Sequence, residues 1–385
     1  YMAGQYDDDE AFAKLNDALT KWEDERGGGQ RNRVFYFALP PNVFVPVSHH
    51  LRKTCYADDG INRVVVEKPF GKDLETCSHM LKEMQSMWTE AETFRIDHYL
   101  GKEMVKNIIP LRFGNPVVEH TLNKYMVDNV QITFKEPFGT EGRGGYFDDF
   151  GIIRDIQQNH LCQVFSLIAM EEPESFTPEA IRDAKVNLLR SVKPISADDV
   201  LLGQYVAHNG KPGYKDDETV PKDSNTPTFA AVVLHVDNDR WRDVPFIMKA
   251  GKALDESKVE IRVQYRDLEH DIHTTVPGHA SETVPVELDL TYKHRFQDAY
   301  IPEAYEALIL DCLRDEHSNF VRDDELEASW SIFTPILHAI DAGELPCEPY
   351  KYGSRGPEQL NDFIEKFGYK PKKNYEWPET NVKEL

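Results

Sequence analysis

Arg95-Ile96-Asp97-His98-Tyr99-Leu100-Gly101-Lys102-Glu103 sets an acid, an imidazole, a phenol and an amine close together, just after the short stretch Thr93-Phe94. If a helix begins near Asp97, the carboxylate can cap it. His98 and Lys102, four residues apart, then share one face beside backbone N–H groups that lack an intrahelical partner. Such a helix start suits a phosphate. Read alone, the nonapeptide also fits a solvated polar helix start with a capping Asp. A second candidate is Lys68, which follows Val64-Val65-Val66-Glu67 and precedes Pro69. A lysine at the carboxyl end of a buried strand stands where open α/β sheets take their ligands.

The elements that position these residues change character along the chain. Ala11 to Glu23 carries a helical apolar stripe behind the acidic run Asp7-Asp8-Asp9-Glu10. The apolar runs from Arg33 to Leu39 and from Arg63 to Val66 read as strands buried on both faces of a parallel sheet. Helices over Phe44–Lys53 and Leu74–Met87 alternate with them, and a third strand leads into Asp97. This is part of a doubly wound α/β unit. Beyond Lys102 the period becomes two, in 130–134, 229–236, 259–265 and 286–292, as in a large antiparallel sheet with one covered face. Helices over 152–170, 177–189, 302–313, 323–342 and 357–367 supply the cover. The predicted class is therefore a partial Rossmann coenzyme domain, residues 1–97, followed by a β+α domain, residues 98–385.

Composition limits the function. The 385 residues hold two cores, and a net charge of −23 argues against nucleic acid or an anionic membrane as partner. No apolar run approaches the roughly 20 residues of a membrane-spanning helix. The five cysteines are scattered and lack C-x-x-C spacing, which suits a reducing, cytoplasmic setting and argues against structural zinc. No G-x-G-x-x-G turn follows a strand anywhere in the chain. Since the first residue is Tyr1, the expectation is that a first βαβ unit belongs upstream.

Five stretches in register resemble the glucose-6-phosphate dehydrogenase family: Glu67-Lys68-Pro69-Phe70-Gly71, the nonapeptide, Phe134 to Asp148, Gly151 to Leu161, and Gly251-Lys252-Ala253-Leu254. The resemblance implies oxidation of glucose 6-phosphate at C1 to the 6-phosphogluconolactone with NADP as hydride acceptor, the first step of the oxidative pentose phosphate pathway. It implies His160 as general base, since an imidazole can take a hydroxyl proton near neutral pH, with Asp97 as the carboxylate on its other nitrogen. A core histidine on an apolar helical face is the plainer reading of His160 by sequence alone. The family pattern gives the phosphate to His98, Tyr99 and Lys102, sugar hydroxyls to Glu136, Asp155 and Lys252, and both sugar and nicotinamide to Lys68. It further implies a structural NADP lined by Lys249, Lys258, Arg262, Asp289, Arg355 and Trp377, and a homo-oligomer joined through its sheets. No metal is called for.

Three departures qualify the resemblance. Ser257 stands where a basic residue is usual, Pro371 where a tyrosine is common, and the E-L-V-I-R-x-Q-P tract expected between Gln264 and Glu287 is missing. One alternative is therefore an inactive chain that keeps only sugar-phosphate binding or subunit association. A sugar-phosphate isomerase or aldolase would keep the anion site and base but leave the half-Rossmann pattern unexplained.

Overall fold

The computed structural model describes residues 1–27, 29–267 and 300–370, together with the backbone of 274–275 and 283–284. The predicted strand at 286–292, Asp289, Pro371 and Trp377 lie outside the described residues.

The first unit follows the apolar pattern closely. Strands β1 (Arg33–Phe37), β2 (Asn62–Glu67) and β3 (Thr93–Ile96) form a parallel sheet in the order β1-β2-β3. Val64, Val65 and Val66 are all buried, as an uninterrupted valine run in a parallel sheet requires. The predicted helix between β1 and β2 is present as Phe44–His50 and then widens into a π-turn, Leu51–Cys55. Helix Leu74–Gln85 starts at a reciprocal cap in which Asp73 accepts from Thr76 N at 2.9 Å.

Among the described residues, the second unit holds a six-stranded sheet. In chain order its strands are β4 (Val127–Lys135), β5 (Val200–Val206), β6 (Phe229–His235), β7 (Pro245–Gly251), β8 (Lys258–Tyr265) and, after the short hairpin β9 (Thr274–Thr275) and β10 (Thr283–Val284), β11 (Cys347–Lys351). The sheet order is β11-β5-β6-β7-β4-β8. Two of its pairings, β4 with β7 and β11 with β5, are parallel, so the expected antiparallel sheet is mixed. Alternation did not find β5, β7 and β11. β7 reads Pro-Phe-Ile-Met-Lys-Ala-Gly and is buried on both faces, so no period of two arises, while Gly203 and Pro349 blur the other two.

One buried rod organises the site. Gly151, at φ +68°, turns the chain into a π-helix, Ile153–Leu161, which continues as α-helix Cys162–Ala169. A side chain at 151 would meet Thr226 and Pro227 at 3.3 Å as well as adopt a left-handed backbone. The rod lies on β6 and β7, where Gln157 Nε2 donates to Ala230 O at 2.9 Å and Phe165 packs edge-on to Phe246. Helices Pro178–Arg190 and Asp323–Asp341 cover its other side. The second of these also joins the two units: Trp330 Nε1 donates to Phe70 O, and Thr334 Oγ1 accepts from Leu74 N. A continuous hydrophobic core therefore runs from β2 through the rod into β6 and β7. Among the described residues, no helix is long and apolar enough to cross a membrane.

Candidate active site

β3 delivers Asp97 to the carboxyl edge of the parallel sheet, and the π-turn delivers His160 from the other unit. His160 Nδ1 lies 2.5 Å from Asp97 Oδ1, which also accepts the Tyr99 N–H at 2.9 Å. Both side chains are almost wholly enclosed, at 2% and 3% exposure. Burial opposes the Asp97 charge, but His160, Lys68 and the Tyr99 N–H outweigh it and hold the carboxyl at about 2. Burial also disfavours the imidazolium. Asp97 resists that and Lys68 adds to it, and the balance leaves His160 below the ordinary imidazole value. The resting pair is an anionic Asp97 beside a neutral His160 whose Nδ1–H is fixed by the carboxylate, leaving Nε2 as the basic atom.

The wide turn matters to this arrangement. Positions five apart in an α-helix point about 140° apart at 3.6 residues per turn. An i→i+5 turn brings them toward one side, so Asp155 and His160 can both address the cleft.

The nonapeptide does not form the single helix expected of it. His98–Gly101 is a short 3₁₀ turn, Lys102 is extended at φ −76°, ψ 130°, and a new helix begins at Glu103. The cause is packing. A Cβ at Gly101 would lie 2.4 Å from Ala304 O, so helix Ala304–Leu313 presses directly on the turn. His98 and Lys102 meet at the site by another route. His98 packs edge-on to His160 at 4.4 Å, Tyr99 stacks on His160 at 4.4 Å, and Lys102 Nζ sits 3.8 Å from the centre of the Tyr99 ring. Burial and the neighbouring His160 push His98 down to about 4, and burial lowers Lys102 as well. A neutral imidazole and an ammonium, both half-buried and both made harder to protonate by burial, are poised for a partner that brings negative charge.

The remaining predicted sugar-binding residues form a ladder of opposite charges. Lys252 Nζ lies 2.6 Å from Glu136 and 3.4 Å from Asp155, and Lys68 Nζ donates to Asp155 O at 2.7 Å. Burial works against the Asp155 charge, but Lys68 and Lys252 lower its carboxyl below the usual value. This row begins after β4, crosses to the loop after β7 and ends at β2, beside the Asp97–His160 pair. It can present alternating acceptors and donors to a row of hydroxyl groups.

A separate group lies on one face of β7, β4 and β8. Thr133 pairs with both Lys249 and Glu260 across the strands. Glu260 lies 3.0 Å from Lys258 and 3.8 Å from Arg262. Lys249 approaches Gln131 Oε1 at 3.3 Å, and burial pushes it down to about 8. Arg355 is exposed and pairs with Asp255 at 3.4 Å. Sequence reasoning missed Tyr305, whose ring stacks on His98 at 5.8 Å from helix Ala304–Leu313. No spacing rule joins positions so far apart.

Comparison with known proteins agrees across both units. Residues 1–107 match the family described as "Glucose-6-phosphate dehydrogenase, NAD binding domain", and residues 109–276 and 271–377 match "Glucose-6-phosphate dehydrogenase, C-terminal domain". Glucose-6-phosphate 1-dehydrogenase of Emericella nidulans is 53% identical, covering 99% of this chain and 80% of that protein. The cytoplasmic glucose-6-phosphate 1-dehydrogenase 5 of Arabidopsis thaliana is 48% identical, with coverage of 98% and 78%. A solved glucose-6-phosphate dehydrogenase in complex with its substrate glucose-6-phosphate superposes with a TM-score of 0.92 at 47% identity, covering 97% of this chain and 82% of that one. The enzyme of Mycobacterium avium gives a TM-score of 0.83 at 28% identity, with coverage of 98% and 82%.

Proposed function

This chain belongs to the glucose-6-phosphate dehydrogenase family, and from that premise we infer that it oxidises D-glucose 6-phosphate to 6-phospho-D-glucono-1,5-lactone. The observation that carries the reading is the His160 Nδ1 to Asp97 Oδ1 contact, which leaves a neutral imidazole ready to accept a proton through Nε2. His160 takes the proton of the C1 hydroxyl as the C1–H bond breaks and the C1 carbonyl forms. Asp97 stays ionised and stabilises the imidazolium that results. His98, Tyr99 and Lys102 hold the phosphate, and the Glu136–Lys252–Asp155 ladder orients the hydroxyls, so that one hexose spans the cleft.

A bound nicotinamide supplies the hydride acceptor. The residues fit it, since the carboxyl ends of β2 and β3 place Lys68 and Asp97 side by side at the edge where parallel sheets take dinucleotides. NADP is the acceptor we assign. Lys249, Lys258 and Arg262 would hold a second, structural NADP by its charged groups; the half-buried Lys249 and the buried Thr133 Oγ1, without a partner among the described residues, support a polar ligand on that face. Subunits associate through the mixed sheet, whose strand β8 exposes Val259 and Tyr265. Five unpaired cysteines support a reducing compartment such as the cytoplasm.

The test is direct. Glucose 6-phosphate and NADP are added together and reduced-nicotinamide absorbance is followed, with calorimetry on the sugar phosphate alone. Turnover supports the dehydrogenase. Heat of binding without turnover supports a sugar-phosphate binder instead.

A further inference from the structure

Behind the dyad lies a small cavity, lined by Lys68 and Asp97 and otherwise by residues to which the reaction described above gives no role. Asp97 Oδ1 takes both hydrogen bonds that the described residues make to that carboxylate, while Oδ2 is buried and no donor among the described residues reaches it. Oδ2 belongs to a residue that lines a cavity of about 20 Å³, shared with Gln158, Gln163, Glu325 and Ser329. Gln163 is 4% exposed, and its Oε1 is likewise buried without a donor. Its Nε2 is committed to Glu325 Oε1 at 2.7 Å, so the amide cannot turn round to offer its donors to the carboxylate. Glu325 is in turn fixed by Lys185 Nζ at 2.8 Å, a fully buried pair that is close in distance but off-axis for a hydrogen bond.

Both orphan acceptors belong to residues that line one small cavity, where a species with two donors would satisfy them together. A space of about 10–15 Å³ open to a water centre is enough for one water, and this cavity exceeds that. We propose that an internal water sits there, donating to Asp97 Oδ2 and Gln163 Oε1, and that Gln163 and Glu325 are positioning residues for the Asp97–His160 pair. Without this water, one oxygen of the carboxylate is held and the other is bare. With it, both are held, and the plane of the carboxylate that orients the imidazole is locked. Lys185 fixes Glu325, Glu325 fixes the Gln163 amide, and the amide fixes the water. The order of donors and acceptors leaves no step of this chain reversible by a simple amide flip.

A crystal structure of the full chain resolving ordered solvent, from crystals grown with and without rubidium chloride, tests the site independently of the proposed reaction. One non-anomalous solvent peak within hydrogen-bond reach of both Oδ2 and Oε1 is expected. A dry cavity overturns the proposal, as does a rubidium peak, which would make the occupant a cation. The kinetic arm rests on the dehydrogenase reading. Gln163→Met removes the acceptor at similar volume, and we expect kcat to fall about tenfold with KM for glucose 6-phosphate within twofold. The acid limb of the kcat/KM profile is expected to move, because the imidazole now faces a carboxylate that is held on one side only. An unchanged profile with unchanged kcat overturns the positioning role. Loss of turnover in the wild type, with the water still present, counts against the proposed reaction and not against the water site.

Discussion

His160 and Asp97 meet through a single carboxylate oxygen, although 63 positions and two folding units separate them. That contact fixes which imidazole nitrogen is protonated, so the two residues fail differently when changed. His160→Asn removes the base. General-base catalysis contributes about 10²–10⁴-fold, and kcat is expected to fall by that order while calorimetric affinity for glucose 6-phosphate changes little. Asp97→Asn keeps the shape but can hold the wrong tautomer, so it also lowers kcat, with the sugar-phosphate affinity again preserved. A His160→Asn enzyme as fast as wild type removes the base assigned here.

Acid should act on rate and stability in the same direction. With His160 as the proposed base, the active form has a neutral imidazole whose pKa is lowered by burial, so kcat/KM is expected to rise with pH and level off before the ordinary imidazole value of about 6.5 is passed. His98 is lowered to about 4 in the folded chain. Between 6.5 and 4 the unfolded chain therefore binds more protons than the folded one, and stability falls as pH falls through that window. Asp97, depressed to about 2, adds stability that is present above about 4 and is lost as pH drops toward 2. Thermal melts should show a lower midpoint at pH 5 than at pH 7, with His98→Phe flattening that slope. A midpoint that rises on acidification contradicts the burial of these imidazoles.

Lys102 should matter for affinity more than for chemistry. Its ammonium lies over the Tyr99 ring and is half-buried, so it can meet a phosphate without much hydration to lose. A hydrogen bond to a charged group contributes about 1.5–3 kcal/mol. Lys102→Ala is expected to raise KM for glucose 6-phosphate about 10- to 100-fold, with a much smaller change in kcat. Free glucose as substrate should discriminate less between the two proteins, and an equal loss with both would place Lys102 away from the phosphate.

How far the sequence led can be judged residue by residue. The valine run of β2 announced a buried parallel strand because burial on both faces leaves no polar position to confuse the pattern. The same circumstance hid β7, where Pro245 and Gly251 bracket a mixed apolar run with Lys249 inside it. The residues proposed for the site were named from short motifs, and the fold brings four of them, His98, Tyr99, Asp97 and His160, together. Their local form was not legible. The break at Lys102 is imposed by helix Ala304–Leu313 pressing on Gly101, a contact between positions about two hundred residues apart. Tyr305 and Gln163 escaped notice for the same reason, since each matters through what it packs against.

The buried Lys185–Glu325 pair should be far more sensitive to losing one partner than to losing both. Both side chains have no exposure, and their charges lie 2.8 Å apart. Removing one member leaves an uncompensated buried charge, which costs about 3–5 kcal/mol, whereas replacing both with apolar groups of similar volume is often close to neutral. Lys185→Met is therefore expected to lower the unfolding free energy by that amount in urea titration, and Lys185→Met with Glu325→Leu to recover most of it. The double variant should still be slow in turnover, because Gln163 loses the acceptor that holds its amide. Stability restored with kcat also restored would reduce the pair to packing alone and detach it from the dyad.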